Sequence, residues 1–288
     1  FGKATQGGRV LHGRILDYMT EAGLQDQAVV MVAKPDGFHA FVTVGYAGFL
    51  GSVTGMNQRQ IVVGEMGGRG EGKWDGMPMT FLVRKVLEEA DTLDQAVSLF
   101  RDTPRTCEYY YVVSDGKIPD ARGLACTPDL FEVIQPGRSH PQLPHAIADA
   151  VLMSAGSRYE KLSQFVQEDF GQITVSRALD LMNEPVAMSS CLHRVLFAPA
   201  ESLLWVSNAA STDKENYSAA FQPYYPYNFQ TLLAMIPAQP ADSAAKISPR
   251  TESKAPAPTE PSKPTAAEGL VPADLVRDLP DSPDPRAN

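Results

Sequence analysis

Across residues 9–63 the chain is written in short β-rich runs separated by turn residues, and helical patterns come only afterwards, in blocks. RVLHGRIL at residues 9–16 and AVVMVA at residues 28–33 are rich in β-branched and large aliphatic side chains. The KPDG segment at residues 34–37 is a turn signal between two hydrophobic runs. FHAFVTV at residues 38–44 alternates, and residues 51–63 read as two strands around a turn at residues 56–60. Three or four consecutive antiparallel strands are expected here.

The helical block opens after Pro78, over residues 79–90. A second helix starts at Thr92, an N-cap residue, with Leu93, Ala96, Val97 and Phe100 on one face. Strands return at residues 108–114, 121–125 and 130–134, with Asp115-Gly116 as a tight turn. Helix is expected over residues 146–170, with a break near Ser157, and over residues 175–182. A strand pair at 192–198 and 203–208 and a short helix at 229–236 complete the pattern. Strands and helices in successive runs predict an α+β layered fold with mainly antiparallel sheets, not an alternating βαβ fold. With 43% hydrophobic residues the chain can build a sizeable core. From Pro237 onward the sequence turns to Pro, Ala, Ser, Thr and charges. Such a stretch buries too little apolar surface to offset its ordering entropy. The expected organisation is therefore one domain over residues 1–236 and a disordered tail over 237–288, with a short helix near residues 273–279.

A net charge of -9 argues against nucleic acid and anionic membranes as partners, because the summed field repels phosphates. No stretch approaches the ~20 apolar residues of a membrane helix. Cys107, Cys126 and Cys191 show no CxxC or Cys/His ligand spacing and read as buried thiols. The Gly-rich residues 64–76 lack the order of a phosphate loop, so neither a metal nor a nucleotide cofactor is expected. Homo-oligomerisation is compatible with this composition.

The front of the chain, Phe1-Gly-Lys-Ala-Thr followed by Val10-Leu-His-Gly-Arg-Ile-Leu-Asp17, resembles the mature start of the acyl-coenzyme A:6-aminopenicillanate acyltransferase family (the C45 peptidases). That family lies within the choloylglycine-hydrolase-like group. The resemblance continues through Gly55-Met56-Asn57, residues 75–84, the second helix, residues 109–116, residues 192–199 and residues 204–207. It spans Phe1 to about Ile236. It implies an N-terminal-nucleophile hydrolase with a four-layer αββα sandwich. A precursor cleaves itself to expose an N-terminal Cys, and the α-amine of that Cys serves as base for its own thiol. An α-amine with a reference pKa near ~8 can accept a proton near neutrality, and a thiolate is a strong nucleophile. The implied activity is amide hydrolysis or acyl transfer, with a small acyl amide or thioester as the partner.

Carried over by motif position, Arg14 and Asp17 hold the Cys end of the chain: a guanidinium favours thiolate, and a carboxylate orients the terminal ammonium. Asn57 matches an oxyanion-hole donor. No Cys occurs near Phe1, so the nucleophile is expected upstream and the chain as given is expected to be inactive. Relatives often carry Asn where this chain reads Cys107-Glu-Tyr-Tyr-Tyr, which makes Tyr110 the candidate second donor. Arg194 is a candidate substrate-binding residue, and Trp74 a candidate wall of the acyl pocket. His12 and His193 read as structural, since the implied mechanism needs no histidine. Two other readings stay open: a catalytically inactive homologue used as a binding module, and a conventional thiol hydrolase built on Cys107 or Cys191 with His193.

Overall fold

A computed structural model describes residues 1–68, 73–212 and 214–237. The expected disordered tail and its short helix at 273–279 lie outside these residues. Two antiparallel sheets organise the chain. The larger has seven strands in sequence order: β2 (Ala28–Ala33), β3 (Phe41–Tyr46), β4 (Thr54–Asn57), β5 (Ile61–Gly67), β6 (Tyr109–Asp115), β7 (Asp120–Cys126) and β8 (Phe131–Ile134). Strands β2 to β5 are the consecutive antiparallel strands that the turn signals imply. The first strand, β1 (His12–Asp17), is not among them. It crosses to the smaller sheet, whose order is β1, then β9 (Cys191–Ala198), β10 (Leu203–Asn208) and β11 (Tyr225–Asn228).

Period-two alternation decides which layer each strand residue serves. In β3 and β5, Phe41, Ile61 and Val63 face α1 (Met79–Glu89) and α2 (Leu93–Asp102), where Leu82, Val86, Leu87 and Phe100 close one core. Their neighbours Val42, Val44 and Val62 face the other way and meet Val195, Phe197, Leu204 and Val206 of the small sheet in a second core. On the far side of β9, Leu196 packs with α3 (Gly156–Glu168) and α4 (Val175–Leu181) through Val166, Ala178 and Leu181. The layers run helices, sheet, sheet, helices, which is the αββα sandwich. The last helix, α5 (Phe229–Ala234), seats Phe229 in the inter-sheet core. Thr92 caps α2 by accepting from Gln95 N, as the sequence implies.

Two expectations need correction. Residues 146–155 are irregular rather than helical, and α3 begins only at Gly156. Asp149 has φ +54, a left-handed conformation that interrupts any helix there. Strand β11 (YPYN) escapes the sequence reading because Pro226 argues against a strand. Its place at the sheet edge removes the objection, since an edge proline loses no ladder bond.

The sheets approach most closely where β1 crosses β5. A Cβ at Gly64 would lie 3.0 Å from Arg14 Cγ and 3.1 Å from His12 Nε2, closer than ordinary packing allows. Glycine is what lets β1 lie against β5. Gly64→Ala is therefore expected to cost ~1–3 kcal/mol by overpacking, read as a lowered urea midpoint with an unchanged m-value. A midpoint equal to the parent's would mean that β1 has slack at this crossing.

Candidate active site

A cavity of about 1120 Å³ runs along β1 from Phe1 to Tyr18. Because β1 is an edge strand, the cavity wraps around it and meets both of its faces. One side opens into the gap between the sheets, and the other reaches the layer of α3 and α4. This explains how residues of both parities, from His12 through Asp17, line one space.

The front of the chain is folded back against the α3–α4 side. Gly2 N donates to Gly8 O at 3.0 Å, Gln6 N to Ile173 O at 3.0 Å and Gly171 N to Ala4 O at 2.9 Å. Asp149 fixes the first turn: its carbonyl accepts from Phe1 N at 3.2 Å and its carboxylate from Lys3 N at 2.7 Å. The left-handed backbone of Asp149 costs on the order of 1 kcal/mol and sits beside the site, where such strain tends to be stored.

On the inter-sheet side, Arg14 of β1 donates from Nη2 to Glu65 Oε1 at 2.6 Å and from Nε to the Glu65 carbonyl at 3.3 Å. Its Nη1 lies 2.9 Å from His193 Nε2. His193 Nδ1 in turn lies 3.3 Å from the Tyr46 hydroxyl. Arg14, Glu65 and His193 are all buried, and Tyr46 lines the cavity. Burial pushes the Glu65 carboxyl up, and the adjacent Arg14 guanidinium pulls it back. Burial also drives His193 far below the ordinary imidazole range, with Arg14 adding to the effect, so this ring is neutral.

Asp17 faces elsewhere. The β1–β9 register slips between Leu16 and Asp17, and such a bulge re-aims the side chain that follows it. One Asp17 carboxylate oxygen pairs with Arg158 of α3, and the other accepts from Met188 N at 3.1 Å. Arg14 and Asp17 thus border one cleft, each with its own partner, and do not pair with each other.

The other four expected site residues are placed as follows. Asn57 is 1% exposed, and its amide is spent locally. Its Nδ2 donates to Leu87 O and Ala90 O at the end of α1, and its Oδ1 accepts from Arg59 N and Ile61 N. It closes the β4–β5 turn and does not line the cleft. Tyr110 lines the cleft, but its hydroxyl hydrogen bonds to Glu108. Trp74 is 74% exposed and lies outside the cavity. Arg194 points from the opposite face of β9 to His193. There it braces Asn183, Ser207 and the Gln222 carbonyl, with its guanidinium 4.5 Å from the centre of the Tyr224 ring.

The thiol alternative also loses its footing. Burial pushes the Cys191 thiol far up, its Sγ donates to the His193 carbonyl, and the imidazole that would deprotonate it already accepts from Arg14. Cys107 has no histidine as a hydrogen-bond partner among the described residues. Among the described residues, no group of three or more His, Cys, Asp or Glu is placed to hold a metal ion, and no helix is long and apolar enough to cross a membrane.

Glu65, His193 and Tyr46 escape a sequence reading for separate reasons. Glu65 lies within a mostly aliphatic strand, where a lone carboxylate is the available signal. His193 shares the inward parity of Val195 and Phe197 on β9, which alternation alone predicts. Tyr46 continues the inward series of Val42 and Val44, but an aromatic residue at a strand end reads as packing.

Residues 4–119 match the family described as acyl-coenzyme A:6-aminopenicillanic acid acyl-transferase. The protein dcd1B of Dictyostelium discoideum is 25% identical over 225 residues, covering 73% of this chain and 44% of that protein. The N-acylethanolamine-hydrolyzing acid amidase of Oryctolagus cuniculus is 30% identical over 116 residues, covering 37% of this chain and 32% of the amidase. The chain thus spans less than half the length of these curated relatives. Among solved structures, the Caenorhabditis elegans orthologue of that amidase superposes with a TM-score of 0.50 at 16% identity, over 76% of this chain and 94% of the other, a likeness of fold.

His12 and His193, both buried and held below the ordinary imidazole range, share the acid response of the site, and His12 carries a separable part of it. Its Nδ1 lies 2.7 Å from Ser114 Oγ, and its Nε2 is buried with no partner among the described residues. Burial lowers its pKa from the ordinary 6.5 to about 4. Between these values the unfolded chain binds a proton that the folded chain refuses, so stability falls as pH drops from about 6.5 to about 4. The loss from this one site is roughly 3 kcal/mol. His12→Gln is expected to flatten the fall in urea-derived stability between pH 7 and pH 4 by about that amount. An unchanged slope would assign the acid response to other groups.

Proposed function

Since the chain belongs to the acyl-coenzyme A:6-aminopenicillanic acid acyl-transferase (C45) family of choloylglycine-hydrolase-like enzymes, we propose that it hydrolyses or transfers the acyl group of a small acyl amide or thioester. In this reading the nucleophile is an N-terminal Cys exposed by self-cleavage just upstream of Phe1. The observation that carries it is the cavity that begins at Phe1 and follows β1 past Arg14 to Asp17.

The chemistry follows from the groups on that path. The α-amine of the Cys takes the thiol proton, and the thiolate attacks the acyl carbonyl carbon. A C–S bond forms, and the carbonyl oxygen carries the negative charge of the tetrahedral intermediate. That intermediate collapses with release of the amine, which takes the proton from the α-ammonium. Water or an acceptor amine then attacks the thioester and frees the thiol. The Asp17 carboxylate, held by Arg158 and Met188 N, has lone pairs left to orient the α-ammonium when it forms. Arg14 is neutralised in part by Glu65, so its role is to position this wall of the site as much as to lower the thiol pKa.

Three proteins test the reading on one acyl amide: the chain as given, the chain begun with the family Cys, and the Cys→Ala form of the latter. Turnover is expected in the Cys-started chain alone, with an acyl adduct on that Cys by intact mass. The loss in the other two should reach about 10³-fold or more. Equal activity in all three would overturn the proposal. Within the Cys-started chain, Asp17→Asn keeps an acceptor for Met188 N but removes the charge. It should lower kcat by about 10²-fold with the fold retained by near-ultraviolet circular dichroism, and an unaltered kcat would remove Asp17 from the mechanism.

A further inference from the structure

Hydrogen-bond direction can be assigned through the inter-sheet cluster without locating a proton. A guanidinium has five N–H donors and no acceptor, so the 2.9 Å contact between Arg14 Nη1 and His193 Nε2 requires the ring nitrogen to accept. A neutral imidazole carries its single N–H on the other nitrogen, which places the His193 proton on Nδ1. That Nδ1–H faces the Tyr46 hydroxyl at 3.3 Å, so the phenol oxygen is the acceptor there. His193 is the one hydrogen-bond partner of this hydroxyl among the described residues. The phenol proton is therefore left to point away from His193, and Tyr46 lines the cavity.

The geometry points to Tyr46 as a hydrogen-bond donor to the carbonyl oxygen of a bound acyl amide, with His193 as the positioning residue that sets the direction of its O–H. This inference rests on the acyl-amide reading above and names a donor that reading lacks. The two residues expected to donate are otherwise engaged: Asn57 serves the end of α1, and Tyr110 serves Glu108. Arg14 commits Nε and one N–H on each terminal nitrogen to Glu65 and His193. The Tyr46 hydroxyl differs from these because its oxygen is already satisfied and its hydrogen is free. A donor whose orientation is fixed before the substrate arrives reorganises little as negative charge develops on the oxygen, which is the requirement for stabilising that charge. Burial raises the phenol pKa above its ordinary value, which keeps the proton in place across the physiological range.

Two measurements on the chain as given, which needs no nucleophile for either, test this. The first is the ¹⁵N chemical-shift pair of His193, expected to show a protonated Nδ1 and an unprotonated Nε2. The reverse tautomer would overturn the donor direction whatever the protein's activity. The second uses an acyl amide labelled with ¹³C at the carbonyl. Its bound carbonyl stretch should lie at lower frequency in the parent than in Tyr46→Phe, whose fold is checked by near-ultraviolet circular dichroism. An amide that binds both proteins with the same stretch would overturn this inference and leave the acyl-amide reading standing, whereas an amide that binds neither would overturn both. In the Cys-started chain, Tyr46→Phe should lower kcat by about 10²-fold with KM little changed, and an unchanged kcat would also overturn the role.

Discussion

The contact between Arg14 and Glu65 ties the two sheets together where β1 crosses β5. Arg14 belongs to the small sheet and Glu65 to the large one, and both side chains are less than a tenth exposed. A buried ion pair repays its desolvation only when its remaining hydrogen-bonding capacity is met. Here the guanidinium reaches one carboxylate oxygen, one carbonyl and one imidazole nitrogen, so most of its capacity is used. Removing either partner leaves a buried charge uncompensated, a loss of about 3–5 kcal/mol where such pairs have been broken. The apolar inter-sheet core holds the layers together, but it is non-directional. The ion pair fixes where along β5 the first strand crosses.

That crossing decides the character of the site. With β1 seated on Gly64, His12 is confined and its ring is kept neutral by burial. His193 is drawn against Arg14 and becomes an acceptor on one nitrogen and a donor on the other. Further along the strand, the bulge at Leu16 and Asp17 breaks the alternation and passes Asp17 to Arg158 on α3. The two residues that a linear motif joins thus end in different electrostatic settings, although only two positions separate them.

Much of the architecture was legible in the sequence because it rests on local rules. AVVMVA is β2 residue for residue, Thr92 caps α2, and the order of strand and helix blocks gives the layered α+β class. What the sequence concealed depended on tertiary context. Residues 146–155 carry helix-compatible side chains, but Asp149 adopts a left-handed turn to hold the front of the chain. Asn57 sits in a family-like motif, yet motif position says nothing of which way an amide faces, and here both its ends are consumed by backbone. Arg194 and His193 are neighbours in sequence and lie on opposite faces of one strand. The parity of CLHRVLFA was the available clue, and it favoured the histidine. Glu65 needed knowledge of its partner, 51 residues away, to be seen as more than a lone acid in an aliphatic strand.

The cavity's course around an edge strand has an evolutionary consequence. One face of β1 carries the polar cluster that the large sheet and β9 hold in place, and the other looks onto the aliphatic wall of α3 and α4, where Leu162, Val166 and Leu181 stand. Volume can be added or removed on that wall by single aliphatic exchanges that never touch Arg14, Glu65 or His193. Shape and reactivity are thereby inherited separately: a lineage can drift toward bulkier or slimmer guests through its helices while the polar side of the same strand stays under independent selection.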